Sequence, residues 1–160
     1  MRIFTIFLIF FLSKSLIAQL DFYSIDSIRE IRLYFEENNW DQILDNNYAD
    51  GMDQRLVANL TIDGVYYPGV GVRYKGYSSY SPSRVKNPFN ISLDYSFSSL
   101  EHYGINKLKL SNVIQDPSFV RETLSYEIAR KYMPASRANY ANVYVNDTLI
   151  GLYTNVESVN

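Results

Sequence analysis

Leu56-Val57-Ala58-Asn59-Leu60-Thr61-Ile62-Asp63-Gly64-Val65-Tyr66-Tyr67-Pro68-Gly69-Val70-Gly71-Val72-Arg73-Tyr74-Lys75 decides the architecture. β-Branched and aromatic residues run up to Asp63-Gly64 and resume beyond it, and both turn residues tolerate the positive φ of a tight reversal. The stretch predicts an antiparallel hairpin, with Pro68-Gly69 breaking the return strand early and marking a bulge. Period-two alternation puts Arg73 and Lys75 on one face of that strand. Adjacent cations repel, so an anion between them is one reading and simple solvent exposure is the other.

Working outward, the same pattern recurs. Ile31, Leu33 and Phe35 alternate with Arg32 and Tyr34 as in a half-buried strand, against a competing helical reading of Ile28, Ile31 and Phe35. Phe89, Ile91 and Leu93 alternate likewise, and a further short strand is expected at Lys107 to Leu110. A second hairpin, Tyr140 to Val145 and Leu149 to Val156, turns at Asn146-Asp147. Asn39 is placed to cap a short helix carrying Trp40, Ile43 and Leu44, after which Asp45 to Gly51 reads as a loop. That polar cluster superficially suggests calcium, but Tyr48 and Val57 occupy positions where ligands would be needed. Asp116-Pro117 has the form of a helix start, and the helix is expected to run to about Tyr132, before Pro134. The expectation is therefore an α+β fold, a mostly antiparallel sheet with one long helix.

The 160 residues suit one domain. With 47% hydrophobic and 20% charged residues the chain is not intrinsically disordered, and a net charge of −2 gives no diffuse attraction to nucleic acid or anionic lipid. The absence of cysteine excludes disulfides, thiolate zinc sites and cysteine nucleophiles, and the single histidine, His102, excludes a multi-histidine cage and is read as structural. Arg2 followed by the apolar run Ile3–Leu12 and a small residue at Ala18 has the form of a secretory signal peptide, too short for a spanning helix. Residues 1–18 are thus expected to be a cleaved leader and 19–160 the domain, exported or held in the cell envelope. Asn59-Leu60-Thr61, Asn90-Ile91-Ser92 and Asn146-Asp147-Thr148 match glycosylation sequons, which matter only in a eukaryotic secretory pathway.

On a helical wheel Glu127 falls inside the stripe made by Val120, Leu124 and Ile128, whereas Glu122 points away. A carboxylate on a buried face needs a cationic partner, either Lys131 one turn on or a residue of the sheet. The polar stretch Lys75-Gly76-Tyr77-Ser78-Ser79-Tyr80-Ser81 offers backbone N–H groups and hydroxyls to phosphate but lacks P-loop spacing, and a solvated turn explains it equally.

Together several segments resemble the CotH family, the spore-coat-protein-H group of secreted atypical kinases. They are Gly71 to Ser79, Lys86 to Asp94, Tyr103-Gly104 with Lys107 to Asn112, Asp116 to Glu122 continuing through Glu127, Val143 to Asn146, and Gly151 to Glu157, in this order across about residues 28–160. The resemblance implies a fold distantly related to protein kinases, ATP with Mg or Mn, and phosphorylation of secreted or coat proteins, with no nucleic acid and no membrane span after leader removal. It makes Lys86 the candidate strand lysine on the nucleotide phosphates and Glu127 its orienting partner, with Glu122 as the rival; Arg73, Lys75, Ser78 and Ser79 line the phosphate end, and Glu157 lies toward the adenine-side connection. The family's catalytic and metal-binding aspartates are expected after the second hairpin, so the chain is read as an N-terminal portion without kinase activity of its own. A non-catalytic surface adhesion or coat protein is the alternative, suited by a tyrosine-rich β surface.

Overall fold

The computed structural model describes residues 21–51 and 53–159, so the leader expected at 1–18 lies outside the described residues. Within them the hairpin forms as its turn chemistry dictates. Strands β2 (Leu56–Ile62) and β3 (Val65–Tyr74) pair antiparallel, and Asp63 and Gly64 both take positive φ, 48° and 82°. The register shifts between Ala58 and Leu60, opposite Pro68-Gly69, so the expected bulge is present. Gly69 has φ 64°, and Gly71 lies under the ring of Tyr95, where an added Cβ would stand 2.5 Å from Tyr95 Cγ. Both glycines let the segment after β4 fold back over the sheet.

The other strands are β1 (Ile28–Tyr34), β4 (Phe89–Ser92), β5 (Lys107–Ser111), β6 (Ala138–Val145) and β7 (Thr148–Val156). The second hairpin turns at Asn146 and Asp147, again both at positive φ. The strands close into a barrel in the order β1-β2-β3-β4-β5-β7-β6, where β1 and β6 pair parallel and every other pair is antiparallel. Alternate residues fill its interior: Ile31 and Leu33, Leu60 and Ile62, Val70 and Val72, Phe89 and Ile91, Leu108 and Leu110, Ala141 and Val143 are all fully buried. Burying each of the larger of these side chains contributes roughly 1.5–3 kcal/mol. His102 is structural: it is buried, and its Nδ1 lies 2.6 Å from the Tyr67 hydroxyl.

The fold is therefore mostly β, and the expected α+β arrangement with one long helix is not what forms. Two short helices flank the barrel, α1 (Trp40–Ala49) and α2 (Arg121–Ala129). The polar run after Leu44 continues α1 instead of starting a loop, because Asp41, Asp45 and Tyr48 recur at helical spacing and each bonds or stacks onto the barrel side: Asp41 accepts from Tyr74, Asp45 from Tyr80 (2.8 Å), and Tyr48 stacks on Tyr80. At the second site Asp116 caps a turn before the helix. Its carboxylate accepts from the backbone N–H of Ser118 (3.1 Å) and of Arg121 (2.9 Å), and Phe119 between them takes φ 61°. A left-handed phenylalanine cannot propagate a helix, so α2 starts only at Arg121.

Candidate functional site

The outer face of the sheet is built in rows set by register. Gly71, Ser92 and Lys107 form one row; Arg73, Asn90 and Lys109 form the next and lead to Val156 and Ala138 under α2. One row further along, Lys75 and Ser111 meet: Lys75 Nζ donates to Ser111 Oγ at 3.4 Å. The Ser111 hydroxyl in turn donates to Glu122 Oε1 of α2 at 3.2 Å. A lysine at the end of β3 and a glutamate in the first turn of α2 therefore share one hydroxyl.

Both charges are partly withdrawn from water. Burial lowers the pKa of Lys75, Glu122 opposes that, and the neighbouring cation Lys109 adds to it. Burial raises the pKa of Glu122, against the pull of Lys75 and the Ser111 hydrogen bond. Two desolvated opposite charges joined through a hydroxyl, without direct contact, leave the ammonium with donors for an anion.

Two clefts meet at this point and share Ser111 and Glu122. One, about 280 Å³, is lined by Lys75, Lys109, Tyr126, Ser136 and Glu157. The other, about 410 Å³, is lined by Ser79, Asn112, Gln115, Asp116 and Arg121. The loop from Gly76 to Lys86 reaches the larger cleft at Ser79 and is tied down by hydrogen bonds. Buried Asn87 accepts from Ser81 N (3.0 Å) and donates to the carbonyls of Ser81 (2.9 Å) and Arg84 (2.6 Å). Buried Asn112 donates to the carbonyls of Ser79 (2.9 Å) and Lys86 (3.0 Å). Tyr48 Oη donates to Gly76 O at 2.7 Å, and Gly76 turns at φ 83° with Ser79 Oγ packed where a side chain would project. Both asparagines flank strands, a position from which a side-chain amide can replace missing backbone partners.

The residues singled out in the sequence separate into groups. Lys75, Ser79 and Glu157 line the clefts. Arg73 stands one row away on the same outer face, and Ser78 is exposed on the Gly76–Lys86 loop. Lys86 is half-buried and its Nζ rests against the rings of Phe119 (5.0 Å) and Tyr153 (5.3 Å); burial lowers its pKa. Phe119 lies in the turn between Asp116 and α2, and Lys86, packed there and against Gly151 of β7, lines neither cleft. Glu157 is gripped by Arg137 through its backbone N–H (2.9 Å) and guanidinium (2.7 Å), which hold its carboxyl below the usual range.

Glu127 is not the inward acid of α2. It pairs with Arg130, neither Lys131 nor Lys86, and the stripe it was expected to share is exposed: Val120 46%, Leu124 52%, Ile128 48%. The residue buried against the barrel is Thr123, at 1%, and its neighbour Glu122 faces the sheet. The wheel identified the apolar side correctly but assigned it to the wrong environment, since α2 packs on β6 through Thr123 and leaves that side to solvent. Ser111, Asn87 and Asn112 were not singled out as site residues; the signal available for the asparagines was their place at strand boundaries beside a polar loop.

Among the described residues no group of three or more histidine, cysteine, aspartate or glutamate side chains is arranged to hold a metal ion, and no helix is long and apolar enough to cross a membrane. A family model described as CotH kinase protein matches residues 72–160, more than half of the chain, a span that takes in Lys75, the pinned loop, Ser111, α2 and the second hairpin. No curated protein matches the chain.

Proposed function

The chain belongs to the CotH kinase family, and from that membership we propose that the junction of Lys75, Ser111 and Glu122 grips the phosphates of a nucleoside triphosphate. One observation carries the reading: a cation from a strand and a carboxylate from the flanking helix meet on the same hydroxyl at a cleft. In phosphoryl transfer the protein's task is positioning and charge stabilisation, and a lysine oriented by a helical glutamate is a recurring part of it. Lys75 supplies that ammonium here, Glu122 orients it, and Ser111 sets its reach. The Gly76–Lys86 loop presents Ser78, Ser79 and its backbone N–H groups to the phosphates, with Arg73 behind them and Lys86 as a second ammonium across the loop. Glu157, fixed by Arg137, closes the far end of the smaller cleft.

The family implies ATP and a divalent metal. The described residues fit the phosphates, whose charge Lys75, Lys86 and Arg73 complement; they include no acidic cluster for the metal. The metal would supply charge neutralisation on the phosphates when bound. We further propose that the chain is exported and acts on secreted or surface proteins, on the strength of the leader-like Ile3–Leu12 run.

The test is nucleotide-dependent thermal stabilisation of residues 19–160 with ATP and magnesium. Lys75→Met and Glu122→Gln are each expected to remove the shift, while Glu127→Gln leaves it in place. No shift for the unsubstituted protein, together with undiminished binding to cells or matrix, would favour the adhesion reading.

A further inference from the structure

The chain carries net negative charge, yet one face of its barrel is cationic. Arg73, Lys107 and Lys109 project from the outer face of β3 and β5, and Arg55 reaches in from the start of β2. Arg29, Arg32, Arg121, Arg130 and Arg137 all form ion pairs with acids, whereas among the described residues none of these four cations does. Arg55 is half-buried, and its guanidinium bonds only neutral acceptors: the carbonyls of Gly71 and Asn90 (both 3.0 Å) and Asn90 Oδ1 (2.9 Å). That leaves its Nε–H and one terminal N–H uncommitted. Burial lowers the pKa of Arg55 and of Lys75, and the neighbouring cations Arg73 and Lys109 respectively add to it, so the cations are close enough to repel. The carboxylate of nearby Asp94 accepts from Ser92 Oγ and Asn106 Nδ2; it attracts Arg55 without pairing with it and so offsets only part of the positive charge.

The spacing of this face is that of a polypeptide. Lys107 and Lys109 alternate along β5 at about 7 Å, the same i to i+2 repeat as an extended peptide. Arg73 and Lys109 flank Asn90 across two strand spacings, about 10 Å, with the Arg55 guanidinium between them. We propose that the Lys107–Lys109 file of β5, with Arg73 and Arg55 beside it where Tyr95–Phe97 do not cover the sheet, is a docking track for an extended segment carrying acidic residues at alternate positions, and that this segment belongs to the protein substrate of the adjoining cleft. The substrate role rests on the phosphoryl-transfer reading; the docking itself does not. Side chains at alternate positions of such a segment reach the Lys107–Lys109 file, and the row that holds Lys109 also lines the cleft beside Lys75 and Glu122. A bound segment is thereby led toward the phosphates.

The experiment is fluorescence anisotropy without nucleotide, using fluorescein-labelled Ser-Glu-Ser-Glu-Ser-Glu, its Gln-for-Glu counterpart, and an oligothymidylate of equal charge. The acidic peptide is expected to bind, more weakly as salt rises, with the Lys107→Ser/Lys109→Ser double variant losing about tenfold in affinity, the sum expected of two surface ion pairs. Lys131→Ser, an exposed cation on the far end of α2, is the control and is expected to bind as the unsubstituted chain does. Equal binding of the glutamine peptide, undiminished binding by the double variant, or tighter binding of the oligothymidylate would each overturn the proposal. A peptide that binds while ATP with magnesium gives the chain no thermal shift would refute the phosphoryl-transfer reading and leave the track standing.

Discussion

Replacing Asn87 by alanine isolates what holds the Gly76–Lys86 loop. The side chain is fully buried and makes three hydrogen bonds to the loop, one from Ser81 N and two to the carbonyls of Ser81 and Arg84. Each contributes about 1 kcal/mol net, so their joint loss costs about 3 kcal/mol. At the 2–4 °C per kcal/mol typical of a chain near this size, the melting temperature falls by about 10 °C. Asn112→Ala removes two such bonds, to Ser79 and Lys86, and costs about 2 kcal/mol by the same count. The diagnostic readout is hydrogen exchange, because a loop tethered by these amides must lose protection at Ser81 and Arg84 beyond what global destabilisation explains. Urea denaturation supplies the global term. If Asn87→Ala melts within about 1 °C of the parent, or the loop amides exchange at unchanged rates, the amide is not the tether of the loop.

Three further outcomes follow from the same coordinates. Burial lowers the pKa of His102, so the unfolded chain binds a proton there that the folded chain resists; stability falls as pH drops from about 6.5 through the folded value, and His102→Gln removes that slope in acid-limb denaturation. Because α2 turns its apolar side outward, Leu124→Ser and Ile128→Ser are expected to change unfolding free energy by less than about 0.5 kcal/mol, where a core position would cost about 2–5. Export of the full-length chain is expected to yield a mature protein beginning at Gln19, read by intact mass; an uncleaved secreted product would remove the leader assignment.

Local chemistry was legible wherever a few neighbouring residues decide the outcome. Asp63-Gly64 and Asn146-Asp147 announce their turns because positive φ selects those residue types, and the alternation in Ile31–Phe35 and Phe89–Leu93 announces which face is buried. Closure of the barrel was not legible, since it depends on Ile28 to Leu33 pairing parallel with Tyr140 to Val145, a contact with no local signature. The helix after Asp116 misled for a related reason. A capping aspartate before proline specifies that a turn begins, but whether the turn propagates was decided at Phe119, whose left-handed backbone postpones the helix to Arg121. The preference for Glu127 over Glu122 as the inward acid rested on a different assumption, that the apolar stripe of a helix faces inward; here α2 packs on β6 with Thr123 buried and Glu122 bonded to Ser111. Lys75 entered as a phosphate-end expectation through the family resemblance, and its approach to Glu122 through Ser111 became visible only once the strand register was known.

Titration of residues 19–160 with a fluorescent ATP analogue in magnesium buffer tests the central claim most directly, run in parallel on Lys75→Met, Glu122→Gln and Glu127→Gln. Saturable binding that weakens at least about tenfold in the first two variants, as expected for loss of a charge-assisted contact, and persists in the third is the predicted result. Binding indifferent to Lys75 and Glu122, or lost instead with Glu127, would contradict it.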